Sequence, residues 1–348
     1  MEKILLGMSG GVDSSVCAVL LKNRGYTVGG VTLKLFDGFC EDSVSDAHKV
    51  CEKLGLSHFC AELKDEFKNY VIDNFISEYI NGRTPNPCIV CNKHIKFGKM
   101  LEIARQNGFE KIATGHYAKI EKAENGRYLL YKADDKTKDQ TYVLYCLTQE
   151  QLSAAEFPLG TLSKAEARKI AEENGLINAK KKDSQDICFV PDGDYASFIE
   201  RTSGYISQKG DYLDINGQKI GEHKGVIHYT VGQRKGLSVA FGKPMFVISK
   251  NAPDNTVVLG DEQGLFYKKV LVSDTNFIPF DNLNGKMQVT AKLRYSQKEQ
   301  EAVIYPTENG GVIIEFANPQ RAPSPGQAAV FYDGNMVVGG GIIVGGIE

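Results

Sequence analysis

The chain has 348 residues, of which 42% are hydrophobic and 24% are charged. This composition is typical of globular proteins and excludes a mainly disordered chain. At roughly 100–200 residues per domain, the length predicts two or three domains. The 41 Lys and Arg against 43 Asp and Glu give a net charge of −2, so binding to a nucleic acid would require a local basic patch.

The sequence also carries signals about its compartment. Only Ile4, Leu5 and Leu6 are apolar before Gly7, which is far too few for a secretory signal. The longest uncharged apolar run, 336–347, is about half a membrane span and is interrupted by glycines, so it predicts a buried strand. The eight cysteines all lie within the first 188 residues, whereas a secreted disulfide framework would staple the whole chain. We therefore expect a cytoplasmic protein with reduced thiols and no membrane partner.

Residues 1–115 alternate short apolar runs with helical patterns, which predicts a doubly wound parallel sheet with helices on both faces. The predicted strands are 3–7, 27–35, 56–61 and 111–114, and the predicted helices are 12–24, 45–54, 67–76 and 97–104. In such folds, ligands bind beyond the carboxyl ends of the strands. A hairpin (117–121 with 127–132) and a helix (164–173) follow. The stretch 178–192 has no clear period and predicts a long loop, and long loops are often functional.

After residue 204 the pattern becomes all-β. Asn216-Gly217 between two apolar runs predicts a type I′ hairpin. The predicted strands are 212–215, 218–220, 246–249, 256–259, 286–295, 301–305, 312–316, 328–332 and 336–344. The pattern therefore predicts an α/β domain (1–203) followed by an all-β part that is most simply a small barrel or sandwich. We divide this part into a small β-rich central domain (204–265) and a C-terminal domain (266–348) that we expect to be a β-barrel.

The first motif with chemical content is the glycine-rich segment 7–14, which follows the first predicted strand and opens the first helix. Small residues let the backbone wrap closely around an anion, and the helix N–H groups and dipole favour phosphate. The lysine of a Walker A loop is missing. A tight strand–helix turn is the plainer alternative, and Asp13 could either satisfy the helix dipole or hold Mg²⁺. The segment resembles the pyrophosphatase loop (PP-loop) of ATP enzymes that adenylate a substrate oxygen.

The second motif, Thr84–Lys93, contains Cys88 and Cys91 in a C-x₂-C pair within a proline-stiffened loop. The pattern predicts that Cys91 lies near a helix N-terminus, where a thiolate is stabilised and reactive. Taken alone, C-x₂-C is typical of a redox pair, zinc, an iron–sulfur cluster or simple packing. His94 could extend a metal set or be a surface residue.

The third motif places Cys188 after the lysine run Lys180–Lys182. These lysines would lower the pKa of a thiol and attract phosphate. A core cysteine beside a solvated lysine face is the alternative. The residues by themselves do not decide between the two.

Together the motifs resemble the tRNA-specific 2-thiouridylases (MnmA/TrmU family). The further matching segments are 113–118, 138–142, 228–236 and 321–327. They occur in order over essentially the whole chain. The resemblance implies a sulfurtransferase that uses ATP and Mg²⁺ to adenylate O2 of the wobble uridine (U34) of tRNA, releases pyrophosphate and replaces the oxygen with sulfur. It also implies that 1–203 is an ATP-pyrophosphatase (PP-loop) catalytic domain.

The resemblance implies three groups of site residues. The nucleotide would be bound by Gly7, Met8, Ser9, Gly10, Gly11, Val12, Asp13, Ser14, Leu33 and Gly115. Cys188 would carry a persulfide received from a cysteine desulfurase or a sulfur-relay protein, and Cys91 would release the sulfur and could form a disulfide with Cys188. The tRNA would contact Asn86, Pro87, Cys88, His116, Lys138, Asp139, Gln140, Arg294, Tyr295 and Gln327. The loop 178–192 would then have to fold over the ATP site.

Basic segments could supply the local phosphate attraction that the net charge does not. They comprise Lys93, Lys96, Lys99 and Lys180–Lys182. The segment Gln233–Lys235 either positions the anticodon stem or closes a turn.

One residue departs from the family pattern, which often has Asp where this chain has Cys88. Cys88 could be a tolerated neighbour or a thiol substitute for that carboxylate, with the persulfide route unchanged. Alternatively, Cys88, Cys91 and Cys188 could hold a [4Fe–4S] cluster whose open iron binds sulfide. Structural zinc is a third interpretation.

Two other functions compete with uridine thiolation. Another adenylating PP-loop enzyme could aminate its substrate or thiolate a different tRNA base, although amination needs no thiol. From a different class, a non-catalytic tRNA-binding protein could hold zinc at Cys88 and Cys91. Release of pyrophosphate on addition of tRNA would separate the enzymes from the binding protein.

Overall fold

The computed structural model describes residues 2–38, 41–179, 181, 187–237 and 242–347. Its N-terminal part contains a parallel sheet in the order β3-β2-β1-β4-β7. The strands are β1 (Lys3–Gly7), β2 (Thr27–Lys34), β3 (Ser57–Glu62), β4 (Lys111–Ala113) and β7 (Ala155–Glu156). The apolar residues of β1, 4–6, are fully buried, as expected for the middle strand of a sheet covered on both faces. The predicted doubly wound sheet is confirmed.

Helices connect these strands and cover the sheet. They are α1 (Val12–Asn23), α2 (Glu41–Leu54), α3 (Lys64–Phe67), α4 (Asp73–Ile80), α5 (Pro87–Cys91), α6 (Met100–Gln106), α7 (Gln149–Ala154), α8 (Lys164–Glu173) and α9 (Tyr195–Ser203). Two π-helical segments interrupt them, Lys68–Ile72 between α3 and α4 and Asn92–Lys99 between α5 and α6. Such segments are rare and frequently lie at functional sites. The second one directly follows Cys91.

The helix predicted at 164–173 is confirmed, including its capping box between Ser163 and Glu166. The sequence analysis missed α9, which Asp194 caps through the backbone N–H of Ser197. Within the described ranges, no helix combines the length and the apolar character needed to cross a bilayer.

The central part forms a small sheet in the order β10-β11-β8-β9. Its strands are β8 (Gly210–Leu213), β9 (Lys219–His223), β10 (Phe246–Asn251) and β11 (Thr256–Gly260). Tyr212 and Val247 of this sheet share one buried cluster with Phe75 of α4 and Ile199 of α9. The central sheet is therefore packed directly on helices of the N-terminal part.

The C-terminal part is a closed barrel. The strands are β12 (Phe266–Phe277), β13 (Met287–Lys292), β14 (Gln300–Pro306), β15 (Val312–Arg321), β16 (Ala328–Asp333) and β17 (Met336–Ile347). They pair in the order β12-β15-β14-β13-β16-β17, and β17 pairs back onto β12. The predicted barrel is confirmed, whereas β12 was not predicted because its short apolar centre (270–272) is flanked on both sides by charged and polar residues. The domain boundaries at 203/204 and 265/266 stay predictions.

The predicted hairpin of the N-terminal part, β5 (Ala118–Lys122) with β6 (Tyr128–Lys132), extends the barrel sheet. Tyr131 of β6 pairs with Met336 of β17. A buried cluster that contains Leu5 of the parallel sheet also contains Val330 of the barrel. The barrel is thus packed against the N-terminal part of the fold.

Candidate active site

The glycine-rich loop forms a tight turn between β1 and α1. Gly10 has φ +70°, and a Cβ there would lie 2.2 Å from the carbonyl oxygen of Ser43, so only glycine fits this backbone. Ser9 and Ser14 hydroxyls lie 3.3 Å apart, and the backbone N–H of Gly11 donates to the Ser9 hydroxyl. Within the described residues, the N–H groups of Val12 and Asp13 have no hydrogen-bond acceptor. They can therefore bind an anion at the positive end of the helix dipole.

A second segment approaches the loop from the end of β4. A Cβ on Gly115 would lie 3.1 Å from both the Asp13 Cβ and the Ser14 backbone nitrogen. Leu33, near the end of β2, is half-buried. Strands β2 and β4 are the two neighbours of β1, so Leu33 near the end of β2 and Gly115 after β4 both lie at the carboxyl edge of the sheet. A ligand of this fold binds at that edge. The donor set therefore fits the triphosphate of ATP, with Asp13 as a carboxylate suited to Mg²⁺.

The carboxylate of Asp13 is held by two side chains from other parts of the chain. Lys164 Nζ lies 2.8 Å from both of its oxygens. The Tyr117 hydroxyl donates to Asp13 Oδ1 at 2.9 Å. A lysine therefore does reach the glycine-rich loop 7–14, called the phosphate loop below. It comes from the start of α8 and not from within the loop. Lys164 could not be singled out from the sequence, because a lysine in the first turn of a helix is ordinary.

The backbone of the loop is held from below by Asn178 and Lys181. Asn178 Nδ2 donates to the carbonyl oxygens of Gly10 and Gly11 at 3.2 and 3.1 Å, and to the Ser15 hydroxyl at 2.8 Å. Lys181 Nζ donates to the Gly10 carbonyl at 3.2 Å and forms an ion pair with Asp46 at 2.9 Å. The charge of Lys181 is thus engaged inside the protein, and Lys180 and Lys182 lie outside the described residues.

The segment Thr84–Lys93, called the cysteine loop below, becomes helical earlier than predicted, at Pro87. Asn86 is the N-cap of α5, its side chain accepting from the backbone N–H of Cys88, and Pro87 occupies the first turn as is common. Cys91 is consequently at the end of α5 and is buried. Burial raises the pKa of the Cys91 thiol to about 12. The expectation of a thiolate stabilised at a helix N-terminus is therefore wrong for Cys91 in this conformation.

The three motif cysteines lie close enough to influence one another electrostatically. Cys88 and Cys188 each present an exposed side, yet desolvation by their neighbours raises the pKa of both thiols. A negative charge on Cys188 or Cys88 would further raise the pKa of Cys91. The positive charge of Lys96 acts in the opposite direction on all three thiols and offsets only part of the rise in their pKa. Within the described residues, no three His, Cys, Asp or Glu side chains are arranged to share one metal ion.

His94 and Lys96, which follow Cys91 in the chain, also have defined positions. His94 stacks on Tyr70 with ring centroids 4.8 Å apart and an interplanar angle of 3°, which agrees with the non-metal interpretation. Lys96 lies on the π-helical segment and is half-buried. Sequence reasoning treated it as one basic residue among several and missed its position beside the thiols.

The barrel holds the cysteine loop from the other side. Gln327 Nε2 donates to the Thr84 carbonyl at 2.9 Å, and the Thr84 N–H donates to the Pro325 carbonyl at 2.8 Å. Gly326 between them has φ +89°, and a Cβ there would lie 2.9 Å from Arg83 Cβ. The segment 325–327 is therefore a clamp on the chain that leads into α5.

The other predicted tRNA residues divide into buried and accessible groups. His116 is buried, bonds to the Thr114 hydroxyl at 2.7 Å and has its pKa lowered well below the ordinary value by burial. Arg294 donates to the carbonyls of Val231 and Ala322. Both side chains therefore have internal partners, and their assignment to tRNA stays a prediction.

Tyr295 and the segment Lys138–Gln140 lie together near the surface. Tyr295 is 47% exposed, and its hydroxyl donates to the Asp139 carbonyl at 3.3 Å. Burial raises the pKa of the Asp139 carboxyl. The Gln140 side chain accepts from the Tyr117 N–H at 2.9 Å, so this segment contacts the residue that binds Asp13. Lys138 is half-buried.

Known protein families match each of the three parts of the chain. Family models match residues 2–192 (tRNA methyl transferase HUP domain), 197–261 (tRNA methyl transferase PRC-barrel domain) and 267–343 (Aminomethyltransferase beta-barrel domain). Among solved structures, a 4-thiouridine synthetase–RNA complex with bound ATP has a TM-score of 0.37 and 18% identity, over 57% of this chain and 50% of that one. An NMN synthetase from Francisella tularensis has a TM-score of 0.35 and 16% identity, over 60% and 79%.

Relatives of full length are much more similar. The tRNA-specific 2-thiouridylase MnmA of Clostridioides difficile (strain 630) is 50% identical, over 98% of this chain and 98% of its own. The tRNA-specific 2-thiouridylase MnmA of Acetivibrio thermocellus is also 50% identical, over 98% and 99%. On this identity over nearly its whole length, the chain belongs to the MnmA family of tRNA-specific 2-thiouridylases.

Proposed function

We propose that this enzyme thiolates the wobble uridine (U34) of tRNA at position 2, using ATP for adenylation and a persulfide on Cys188 for sulfur transfer. The observation that carries the proposal is that Asn178 and Cys188, ten residues apart in the sequence, lie at the two parts of the site. Asn178 binds the carbonyls of the phosphate loop, and Cys188, ten residues later, is electrostatically coupled to Cys91. A residue bonded to the proposed ATP loop and a residue beside Cys91 are thus close neighbours in the sequence.

In the first step, O2 of the uridine attacks the α-phosphorus of ATP, and the bond to the β-phosphate breaks to release pyrophosphate. The free N–H groups at the start of α1 and the Ser9 and Ser14 hydroxyls are suited to bind the leaving pyrophosphate. Mg²⁺ bound at Asp13 would neutralise charge on the phosphates. Lys164 is near enough to Asp13 to share that role.

In the second step, the terminal sulfur of the Cys188 persulfide attacks C2 of the adenylated base, and AMP leaves with the original oxygen. The Cys91 thiolate then attacks the Cys188 sulfur. This breaks the S–S bond, leaves the thiocarbonyl on the base and forms a Cys91–Cys188 disulfide. A cellular thiol must reduce that disulfide before the next turnover.

The donor of the persulfide would be a cysteine desulfurase or a sulfur-relay protein, and a cytoplasmic location follows from the tRNA substrate. Asn86, Pro87 and Cys88 would face the flipped target base, because they form the start of α5, the helix that ends at Cys91. Cys88 would be a neighbour in this scheme, with no obligatory step of its own.

A [4Fe–4S] cluster on Cys88, Cys91 and Cys188 is the alternative route. These three thiols lack a shared metal geometry in the described arrangement, so no step is assigned to a cluster. Anaerobic purification followed by iron and sulfide analysis tests the route directly. About four irons per chain, lost together with activity in Cys88→Ala, would replace the persulfide proposal.

The main experiment combines the enzyme with tRNA, ATP and a persulfide donor. Pyrophosphate release and the appearance of 2-thiouridine in digested tRNA are measured together. Cys188→Ser should still release pyrophosphate but form no 2-thiouridine. Formation of ADP and phosphate, or full thiolation by Cys188→Ser, would refute the proposal. A protein that binds tRNA without releasing pyrophosphate would be a binding module.

A further inference from the structure

A cavity of about 370 Å³ opens where the β5–β6 hairpin meets the barrel. Three lysines line it, Lys132, Lys136 and Lys292, together with the carboxylates of Asp139 and Glu299. The turn between β16 and β17 closes one side. The lining is therefore strongly polar, and positive side chains outnumber negative ones.

Both carboxylates are engaged by the protein. Glu299 forms an ion pair with Lys132 at 2.7 Å and accepts from the Thr290 hydroxyl at 2.6 Å. Asp139 accepts from the Thr141 hydroxyl at 2.7 Å and from the backbone N–H of Ala133 at 3.2 Å. Neither acid forms an ion pair with Lys136 or Lys292 within the described residues.

Lys132 is likewise committed to the fold. Only 9% of its surface is exposed. Besides its ion pair, its Nζ donates to the Gly334 carbonyl at 2.7 Å and lies 4.3 Å from the centroid of the Tyr332 ring. The positive charge of Lys132 therefore neutralises the negative charge of Glu299, and its contacts hold one wall of the cavity in place.

Lys292 is different, because its ammonium is half-buried and has no carboxylate within ion-pair distance in the described part of the chain. Its Nζ lies 5.9 Å from the Tyr142 ring centroid and 5.8 Å from that of Tyr295. Burial lowers the pKa of Lys292, with Asp139 and Glu299 opposing the shift. Lys136 is exposed at the mouth. Lys136 and Lys292 thus face the cavity without a direct ion pair among the described residues. The Asp139 carboxylate, which accepts only from neutral donors, is the negative charge that stands opposite them.

We propose that this cavity binds one backbone phosphate of the RNA substrate between Lys136 and Lys292. With Lys132 paired to Glu299, the lining holds Lys136 and Lys292 against the one carboxylate of Asp139, and the single negative charge of a phosphodiester would balance the positive charge that is left. The exposed ring of Tyr295 lies directly beside Lys292 and offers a stacking surface for the adjacent base. The inference rests on the proposed function, since it assigns the RNA as substrate.

The test is the salt dependence of tRNA binding by full-length enzyme, measured at several salt concentrations. Loss of one phosphate contact should weaken binding and reduce the slope of log affinity against log salt by about one. Lys292→Met should show this change, and Lys292→Arg should keep most of the wild-type slope. An unchanged slope in Lys292→Met would overturn the assignment.

Lys286→Met is the matched control. Lys286 immediately precedes β13 and also lies over a tyrosine ring, that of Tyr305 at 5.4 Å, whereas Lys292 ends the same strand about 20 Å away. The control should keep the wild-type slope. If Lys292→Met does not fold, Lys136→Met carries the same expectation, because Lys136 is exposed and its side chain has no hydrogen bond or ion pair with any residue that the structure describes.

Free phosphate shares this chemistry, and a competition experiment separates the sources. If inorganic phosphate binds wild type but not Lys292→Met, while the two have the same tRNA salt slope, the cavity is a small-anion site and the RNA assignment is wrong. Thiolation at saturating tRNA is measured in parallel. A thiolating wild type with an unchanged mutant slope refutes only the cavity, whereas a wild type that neither binds nor thiolates tRNA refutes the proposed function as well.

Discussion

The ammonium of Lys164 lies 2.8 Å from both carboxylate oxygens of Asp13, although 151 residues separate them in the chain. The phosphate loop itself lacks the lysine of a Walker A motif. Lys164 brings the missing cation to the loop from α8, and Tyr117 fixes the same carboxylate from the other side. The electrostatics of the proposed ATP site therefore depend on three segments far apart in sequence.

Replacing Lys164 by methionine should lower tRNA-stimulated pyrophosphate release by at least about 100-fold, since a preorganised charge near the transferred group is lost. Lys164→Arg should have more activity than Lys164→Met, because arginine restores the cation. Asp13→Ala, which removes the carboxylate that Lys164 contacts, should abolish adenylation while the fold remains intact. The measurement is pyrophosphate release at saturating ATP and tRNA, with circular dichroism to check folding.

The control for Lys164 is Lys169→Met on the same helix. Lys169 is 75% exposed at its side chain and lies 3.8 Å from Glu173, far weaker pairing than that of Lys164. Its loss should change pyrophosphate release by less than about twofold. Equal rates for Lys164→Met and wild type would show that Lys164 only supports the fold.

The thiols give a prediction about pH. Burial raises the pKa of Cys91 to about 12, so only about one Cys91 in 10,000 is a thiolate at pH 8. Alkylation of Cys91 by iodoacetamide should therefore rise about tenfold per pH unit from pH 7 to pH 10 without reaching a plateau. Peptide mass spectrometry measures the rate at each cysteine, and the exposed Cys60 is the internal reference for an accessible thiol. A plateau for Cys91 below pH 9 would contradict this prediction.

The sequence was informative where a motif is contiguous. The glycine loop after β1 and the capping box at Ser163 follow from local rules of turns and helix ends, and both are present as predicted. The sequence failed for Cys91, because the helix start is set by the Asn86 cap and Pro87 at the preceding residues. The thiol environment then follows from tertiary burial, which no local pattern reports.

Contacts between distant segments were the other part that sequence could not supply. Lys164 meets Asp13, and Asn178 meets Gly10, through packing of α8 and the following loop on α1. A lysine or an asparagine in such positions is common in any helical protein. Only the fold shows that these side chains converge on the phosphate loop.

Arg294 and Tyr295 should separate stability from RNA binding. Arg294 donates to Val231, Ala322 and Ser324 at 3.0–3.3 Å, and thus ties the central part to the barrel. Arg294→Met should cost about 2–4 kcal/mol of unfolding free energy, because buried carbonyls lose a charged donor. Tyr295→Ala should leave stability nearly unchanged and weaken tRNA binding by about 1–3 kcal/mol. Urea unfolding and tRNA titration measure the two effects, and a reversed pattern would contradict this division of roles.

The clamp at Gly326 should control the cysteine loop. Gly326 has φ +89°, and a Cβ there would lie 2.9 Å from Arg83 Cβ and from the Thr84 backbone nitrogen. Gly326→Ala should push the chain before α5 away from the barrel and break the Thr84–Pro325 hydrogen bond. We expect thiolation to fall by at least about tenfold, since misplacing a reacting group by 1 Å can cost more than that.

Gly310→Ala is the matched control for the clamp. Gly310 lies in another barrel turn with φ +76°, but a Cβ there would meet nothing within 4 Å. Gly310→Ala should lose about 1–2 kcal/mol of stability, because alanine is disfavoured in the left-handed region, and Gly326→Ala should lose more because its Cβ also meets the Thr84 backbone. Only Gly326→Ala should also change the alkylation rate of Cys88 and the thiolation rate at a temperature where both variants are folded. Equal thiolation by the two variants would show that the contact between 325–327 and Thr84 does not position the cysteines.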